Sequence, residues 1–232
     1  MKKPLGLDLR LARALLSKAK PHRTVAARVE AVSAALLGCP YEAFGLVGSA
    51  EAPEVLVAKL DRFDCVTYVE TVLALARAET PEGFVEELRL LRYEGGVVEW
   101  AKRNHYMVGW ARANSRRRAV WPVAAEKLAV KKERRLNAVP GLPPRDERFW
   151  CVPKSKMKAF APRLSNGDVL LFASTKAGLD VFHCGLLVLA EGKLRLRHAS
   201  RSAGSVVEQD LDAFLRANRM AGLVALRPQE LP

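Results

Sequence analysis

Residues 183–200, HCGLLVLAEGKLRLRHAS, decide how the second half of the chain folds. Two apolar runs flank the dipeptide Glu191-Gly192, and a glycine-containing pair in this setting is typical of a two-residue hairpin turn. The sequence therefore predicts an antiparallel hairpin that joins residues 183–190 to residues 193–200.

The register of this hairpin brings two histidines together on one face. His198 lies opposite Gly185 and His183 opposite Ser200, with the same parity as the leucines of both strands. As diagonal neighbours their backbones are about 7–8 Å apart, and Gly185 leaves space between the imidazoles. Two histidines on an apolar face indicate a reactive pair. Satisfied core histidines are the alternative, and a one-residue slip would separate the two faces.

Outward from the hairpin, the pattern predicts helices first and strands later, which is typical of the α+β class. Helices are expected at 8–19, 24–37, 65–78, from Pro81 to about Leu91, and near 210–218; further strands are expected at 167–173 and 222–228.

The organisation indicates one domain of residues 1–232, with a helical part at about 1–137 and a sheet part at about 165–228. Within the helical part, residues 123–137 are interpreted as a basic surface helix. A turn-rich connection follows at 139–146.

The composition is that of a globular protein with a basic surface. Half of the 232 residues are hydrophobic and 27% are charged, which excludes disorder, collagen-like repeats and disulfide-dense scaffolds. The net charge of +13 suits an anionic partner. The basic clusters 116–118 and 131–135 contain no aromatic residue, so we interpret them as solvated faces and expect no nucleic acid partner.

The N-terminal stretch begins with a basic segment, but Asp8, Arg10 and Arg13 interrupt the apolar region that a signal peptide requires. We therefore expect no signal peptide in this chain. No window approaches about 18 uncharged apolar residues, so we expect no membrane span. We expect a monomer.

Cys65 is the candidate nucleophile. It follows Asp64 at the start of the 65–78 helix, where unpaired N–H groups and the helix dipole favour a thiolate. A small buried residue is the alternative interpretation of Cys65 taken alone. Together with His183 and His198, it completes the set that nucleophilic catalysis needs: a thiolate, a base and a group that orients the base.

The other three cysteines, Cys39, Cys151 and Cys184, are interpreted as packing residues, and Cys184 is expected to point away from the histidines. Cys65, His183 and His198 could alternatively bind zinc, but neither HExxH nor paired-cysteine spacing supports this. We expect no metal and no cofactor.

Several motifs resemble those of the NlpC-type, papain-like cysteine peptidases of bacterial cell walls, and more closely the N-acetylmuramoyl-L-alanine amidase-like branch. The general motifs are Asp64-Cys65, Gly167-Asp168, His183-Cys184-Gly185 and His198-Ala199-Ser200. The closer ones are LLGCPY at 36–41, RFDCVTYVETVLALA at 62–76, RNHY at 103–106 with Trp110, and GLDVFHCGLLV at 178–188. The likeness extends from about residue 25 to 226.

This resemblance implies a papain-like α+β fold with a helical half packed on a small antiparallel sheet. It implies Cys65 as nucleophile, His183 as general base and His198 as the residue that orients the base. Tyr41 matches a tyrosine that helps to hold the oxyanion, and Asp64 supports the nucleophile. Cys184 departs from the small aliphatic residue usual at its position.

The implied partner is a muropeptide, a peptidoglycan fragment, cleaved at the amide between N-acetylmuramic acid and L-alanine. Cleavage of the D-glutamyl to diamino-acid bond is the alternative, and a non-catalytic basic module that binds cell wall or nucleic acid is the second alternative. The family implies the periplasm or cell envelope, with the cytoplasm as the alternative.

Four further residues are candidates for the substrate groove: His105, Trp110, Asp180 and Ser200. A polar loop histidine is the alternative interpretation of His105. Asp180 and Asp64 could polarise the site or merely cap turns.

Overall fold

The computed structural model describes residues 4–230. Its helices are α1 (Leu9–Ala19), α2 (Val25–Ala35), α3 (Cys65–Ala76), α4 (Pro81–Arg92), α5 (Met107–Arg116), α6 (Met157–Phe160) and α7 (Leu211–Ala217). Its strands are β1 (Val120–Pro122), β2 (Val130–Leu136), β3 (Arg145–Cys151), β4 (Val169–Ala173), β5 (Val181–Ala190), β6 (Lys193–Ser200), β7 (Ser205–Asp210) and β8 (Gly222–Pro228). The predicted α+β class is confirmed.

The main sheet is antiparallel, has six strands, and follows the order β1-β8-β4-β5-β6-β7. The predicted β5–β6 register is confirmed where the ladder is paired, since Leu187 lies opposite Leu196 and Ala190 opposite Lys193. At the turn, Glu191 and Gly192 have φ angles of 50° and 73°. Positive φ at both positions is the conformation of a type I′ turn, whose twist matches that of the strands.

Side-chain oxygens fix where the N-terminal helices begin. Asp8 accepts from the backbone N–H groups at the start of α1, Thr24 from the start of α2 and Thr80 from the start of α4. Pro81 occupies the first turn of α4, where its missing N–H costs nothing. Local sequence therefore determines these helix starts.

The sheet has a hydrophobic core on each face. Helices α1 to α4 pack on the face that presents Leu171 and Leu186. The opposite face, which presents Leu187 and Leu196, is covered by α7 through Phe214. Helix α3 packs directly against β5 and β6, so the two halves of the chain share a core.

The helix expected at 123–137 is wrong. A short 3₁₀ turn at Glu126–Leu128 leads into β2, which pairs with β3 in a separate two-stranded sheet. Exposure alternates along β2, and no apolar stripe of helical period is present to support a helix. Cross-strand pairs such as Arg135 with Asp146 and Glu133 with Arg148 compensate the charges.

Helix α5 and strand β1 lie between Tyr93 and residue 123, where no helix or strand is predicted from the sequence. Helix α3 ends at Ala76, two residues earlier than expected. Strand β5 begins at Val181, two residues before the expected start at residue 183. No helix among residues 4–230 has both the length and the hydropathy needed to cross a bilayer.

A buried ion pair fixes α3 to its neighbours. Glu70 of α3 accepts from Arg92 of α4 over 2.7 Å, and both side chains are 2% exposed. Arg92 also donates to the Val57 carbonyl oxygen over 2.6 Å. Burial raises the pKa of the Glu70 carboxyl, and the Arg92 charge opposes that shift. Each group therefore needs the other to remain charged in the core.

We expect Arg92→Met to lower the free energy of unfolding by about 3–5 kcal/mol, because it leaves the Glu70 carboxylate buried without a partner. Combining it with Glu70→Gln should recover part of the loss. Denaturant unfolding, monitored by circular dichroism, measures the free energy of unfolding of the single and the double variant. The control is Arg62→Met, whose pair with Asp61 is about half exposed and should be worth about 1 kcal/mol or less. Equal losses for Arg92→Met and Arg62→Met would contradict the expectation.

Candidate active site

Cys65 is the first residue of α3, and Asp64 caps that helix. Asp64 Oδ1 accepts from the backbone N–H groups of Val66 at 3.0 Å and Thr67 at 2.7 Å. In return, the Asp64 backbone N–H donates to the Thr67 hydroxyl over 2.9 Å, which completes a capping box. The Thr67 hydroxyl is also hydrogen-bonded to Asp64 Oδ1. Burial, followed by the neighbouring Cys65, raises the pKa of the Asp64 carboxyl. The cap holds Cys65 at the positive end of the helix dipole, as the sequence predicts.

The two predicted histidines are in direct contact. His183 Nε2 lies 2.6 Å from His198 Nδ1, and the rings meet edge to face with centroids 4.7 Å apart. Phe214 of α7 packs against both rings, with centroid distances of 5.6 Å. The hairpin that the sequence predicts therefore joins the imidazoles by a hydrogen bond.

A β-bulge lies beside this pair. Phe172 of β4 pairs with His183, but the next residue, Ala173, pairs with Val181, so that Phe182 is the additional residue. A bulge bends and twists its strand. Here the neighbouring residues His183 and Cys184 both border the Cys65 thiol.

Cys184 is closer to Cys65 than expected. It does lie on the sheet face opposite the histidine–leucine face, but α3 packs on that side. The single proton of the Cys184 thiol has two acceptors beside it, the Cys65 carbonyl oxygen at 3.1 Å and the Cys65 sulfur. The expectation that Cys184 points away from the site is therefore wrong, because Cys65 lies on the Cys184 side of the sheet.

These contacts determine which thiol ionises. The hydrogen bond from Cys184, with the hydrogen bond and charge of His183, holds the pKa of the Cys65 thiol well below its ordinary value, although burial opposes this. The same hydrogen bond and burial hold the pKa of the Cys184 thiol well above its ordinary value. Cys65 is thus the more acidic thiol of the pair, and Cys184 is the hydrogen-bond donor.

His198 is kept neutral. It is 3% exposed, and burial, with the nearby His183, lowers its pKa to about 3. Its second ring nitrogen, Nε2, lies 3.0 Å from Nε2 of Gln209 on β7. The site is therefore a continuous chain from the Cys65 thiol through His183 and His198 to Gln209.

Tyr41 lies next to Cys65. Its backbone N–H donates to the Gly204 carbonyl oxygen over 2.8 Å, and it bridges to Phe63, just before Cys65. Burial, followed by the negative charges of Cys65 and Asp64, raises the pKa of its phenol. The phenol therefore keeps its proton and can donate a hydrogen bond.

The four groove candidates occupy different environments. His105 is partly exposed, and its Nε2 lies 2.7 Å from the Trp100 carbonyl oxygen. Burial lowers its pKa. Ser200 is 7% exposed and lies 3.1 Å from the Ser202 hydroxyl.

Direct substrate contact does not fit Trp110 or Asp180. Trp110 is fully buried, and Asp180 is 1% exposed. The Asp180 carboxylate accepts from the backbone N–H groups of Val108 and Val181, each over 2.7 Å. It therefore joins the first turn of α5 to the start of β5, which is the capping role considered as the alternative.

Among residues 4–230, no three His, Cys, Asp or Glu side chains cluster as metal ligands. His183 and His198 direct nitrogens at each other rather than at a common point. The zinc alternative therefore finds no support in the geometry.

The sequence did not indicate Gln209 or Phe214. Both contact His198 only because β7 pairs with β6 and α7 then crosses the sheet. The register places Gln209 opposite Leu196, diagonal to His198. A prediction of the β6–β7 pairing would have found Gln209, but the connecting residues carry no turn signal as clear as that of the β5–β6 hairpin.

Residues 31–223 match the family model described as N-acetylmuramoyl-L-alanine amidase-like (AmiA-like). No curated protein sequence matches the chain.

Three solved structures share the fold. A Legionella pneumophila protein has a TM-score of 0.81 at 22% identity, covering 96% of this chain and 95% of its own. An N-acetylmuramoyl-L-alanine amidase from Bacteroides uniformis has a TM-score of 0.76 at 24% identity, covering 95% and 100%. A protein from Bacteroides fragilis, provisionally named a xylanase, has a TM-score of 0.76 at 25% identity, covering 84% and 98%.

We expect Cys184→Ala to move the pH dependence of Cys65 alkylation to higher pH, because the thiolate loses its donor. Below the ordinary thiol range the variant should react several-fold more slowly with iodoacetamide. Peptide mapping at a series of pH values measures the rate at each cysteine. In the unsubstituted chain Cys65 should react fastest, and Cys151→Ala, a substitution in the separate β2–β3 sheet, should leave its profile unchanged. An unchanged profile in Cys184→Ala would contradict the role of the donor.

Proposed function

This chain belongs to the N-acetylmuramoyl-L-alanine amidase-like family, and we propose that it is a cysteine-dependent hydrolase of peptidoglycan fragments. The bond cleaved is the amide between the lactyl group of N-acetylmuramic acid and L-alanine. The observation that carries the cysteine mechanism is the position of the Cys65 thiol, at the capped start of α3 and beside His183, whose ring lies 2.6 Å from that of His198.

The first half of the proposed reaction forms a thioester. The Cys65 thiolate attacks the lactyl carbonyl carbon, and the carbonyl electron pair moves to oxygen. When the tetrahedral intermediate collapses, the bond to the L-alanine nitrogen breaks and His183 gives that nitrogen a proton. The peptide leaves with a free amino terminus.

The second half returns the enzyme to its starting state. His183, now neutral, removes a proton from water while the water oxygen attacks the thioester carbonyl carbon. Collapse of this intermediate breaks the carbon–sulfur bond and releases the Cys65 thiolate and the muramic carboxylic acid, which loses its proton to solvent. His198, which stays neutral, orients His183 through both steps.

The oxyanion of each intermediate needs hydrogen-bond donors. The first backbone N–H groups of a helix have no partner within the helix, and Asp64 takes those of Val66 and Thr67. The Cys65 N–H is left for the oxyanion. The protonated phenol of Tyr41 supplies the second donor. Two such donors are the usual composition of an oxyanion hole.

We also propose the wider NlpC-type, papain-like assignment and a single domain. A nucleophile at the start of a helix, packed on an antiparallel sheet that carries the histidines, supports the first. A core that extends from Ala12 to Leu226 and includes both helices and strands supports the second.

Other activities are less well supported by the site. A glycosidase needs two carboxyl groups about 5–9.5 Å apart, whereas Asp64, the carboxylate beside Cys65, already caps α3. Cleavage of the D-glutamyl to diamino-acid bond would use the same chemistry and is distinguished by its products. A binding module would not need a thiolate.

We expect Cys65→Ala and His183→Ala to lose about 10²–10⁴-fold or more in single-turnover rate on a defined muropeptide. His198→Gln should keep measurable activity, because an amide can still form one orienting hydrogen bond. Mass spectrometry of the products identifies the bond, and Cys151→Ala is the matched control. Wild-type activity in Cys65→Ala would exclude the cysteine mechanism, and a larger loss in His198→Gln than in His183→Ala would reverse the two histidine roles.

A further inference from the structure

Two thiols lie in contact at the site, and the proposed reaction uses only one of them as a nucleophile. Cys184 Sγ lies 3.1 Å from the Cys65 carbonyl oxygen and within hydrogen-bond reach of the Cys65 sulfur. Both cysteines are free thiols. A serine hydroxyl at position 184 could also donate a hydrogen bond, whereas a thiol can in addition form a covalent bond to Cys65.

The backbone holds these two thiols together. Cys184 lies within β5, opposite Leu171 of β4, and is fully buried. Cys65 begins α3, which packs directly against β5. A disulfide requires the two sulfurs to close to about 2.05 Å. From the observed contact this is a movement of side chains, because the helix and the strand already lie against each other.

Only one of the two thiols is open to an oxidant in solution. Cys65 is half-buried, while Cys184 is 0% exposed. Peroxides react with thiolates rather than with thiols. The hydrogen bond between the two cysteines lowers the pKa of the Cys65 thiol and raises the pKa of the Cys184 thiol. Exposure and charge therefore both select Cys65 for oxidation and leave Cys184 as a thiol beside it.

We propose that Cys65 and Cys184 form a reversible oxidation site, in which a peroxide oxidises Cys65 and Cys184 then closes a disulfide with it. The effect on catalysis rests on the proposed function, since muropeptide cleavage is the reaction that the disulfide stops. Formation of the disulfide itself depends only on the two thiols and the oxidant.

The oxidation has two steps. First, the Cys65 thiolate attacks one oxygen of hydrogen peroxide, the oxygen–oxygen bond breaks, and Cys65 becomes a sulfenic acid; the hydroxide that leaves takes up the proton that Cys65 had released. Second, the Cys184 sulfur attacks the Cys65 sulfur, the sulfur–oxygen bond breaks, and the leaving hydroxide departs as water with the Cys184 proton. In sum, two thiols are oxidised to one disulfide and one peroxide is reduced to two waters.

The disulfide has two consequences for the enzyme. It occupies the Cys65 sulfur, so cleavage stops until a thiol reductant breaks the bond. It also forms in competition with a second peroxide, which converts a sulfenic acid to a sulfinic acid that thiols do not reduce. Because Cys184 is already in contact with Cys65, we expect closure to precede the second oxidation.

Peptide mapping under non-reducing conditions tests the disulfide without any substrate. The full chain is exposed to hydrogen peroxide, the remaining thiols are blocked with iodoacetamide, and the protein is digested. We expect a linked pair of peptides that carries Cys65 and Cys184 and that separates after dithiothreitol. Intact mass alone is not sufficient, because a sulfenamide formed with a backbone nitrogen loses the same two hydrogens.

Cys184→Ser isolates the covalent role of Cys184. Its hydroxyl keeps a hydrogen-bond donor beside Cys65 but cannot form a disulfide. At equal consumption of the Cys65 thiol, about fivefold more Cys65 should reach the sulfinic acid in Cys184→Ser than in the unsubstituted chain. The control is Cys39→Ser, which changes the other cysteine that is only half-buried, and it should give the same linked peptides as the unsubstituted chain.

Cleavage of the defined muropeptide supplies the second measurement. In the unsubstituted enzyme, activity should fall in proportion to the disulfide formed and return on addition of dithiothreitol. In Cys184→Ser, the activity that peroxide removes should not return, because sulfinic acid is not reduced by thiols.

Three results would overturn the proposal: a Cys65 sulfinic acid formed while Cys184 is still a free thiol, a disulfide from Cys65 to Cys39 or a sulfenamide in place of the linked pair, and oxidation of Cys39 or Cys151 before Cys65. If Cys184→Ser does not fold, the linked peptides of the unsubstituted chain still decide. Should the untreated enzyme not cleave the muropeptide, the proposed function fails while the peptide map still decides the disulfide.

Discussion

The contact between the first turn of α3 and strand β5 is the constraint on which the site depends. Cys65 reaches His183 only because the buried helix α3 begins against the sheet at this point. The Glu70–Arg92 pair and the hydrophobic core fix α3 in place. Displacing α3 by one residue would move the sulfur out of reach of both His183 and Cys184. Stability and reactivity are therefore determined by the same packing.

The charges of the site are distributed unevenly along one chain of contacts. The negative charge belongs on Cys65, next to a helix N-terminus and two hydrogen-bond donors. His198, deeper in the sheet, is too buried to become charged. A positive charge formed on His183 therefore remains there, beside the thiolate, instead of spreading to the second ring.

The sequence predicted what local patterns determine. The Glu191-Gly192 turn fixed the β5–β6 register and with it the His183–His198 pair, and Asp64 marked the start of α3. The prediction that Cys184 points away from the site was wrong, because the side of the sheet that α3 covers depends on distant parts of the chain. Gln209 was missed for a similar reason, since its contact requires the β6–β7 pairing. Strand β2, residues 130–136, was not predicted, because charged residues occupy both of its faces and mask the alternation that is typical of a strand.

Strand β7 lies at the rim of the six-stranded sheet. Its first residues are hydrogen-bonded to the 38–41 segment that carries Tyr41, but from Val207 onward it is paired through β6 alone. Rim strands open locally at a lower free energy than central ones. Fraying of β7 would release Gln209 and loosen the anchor of Tyr41 together, while Cys65 and the core stayed folded. Heat inactivation would then precede loss of the fold.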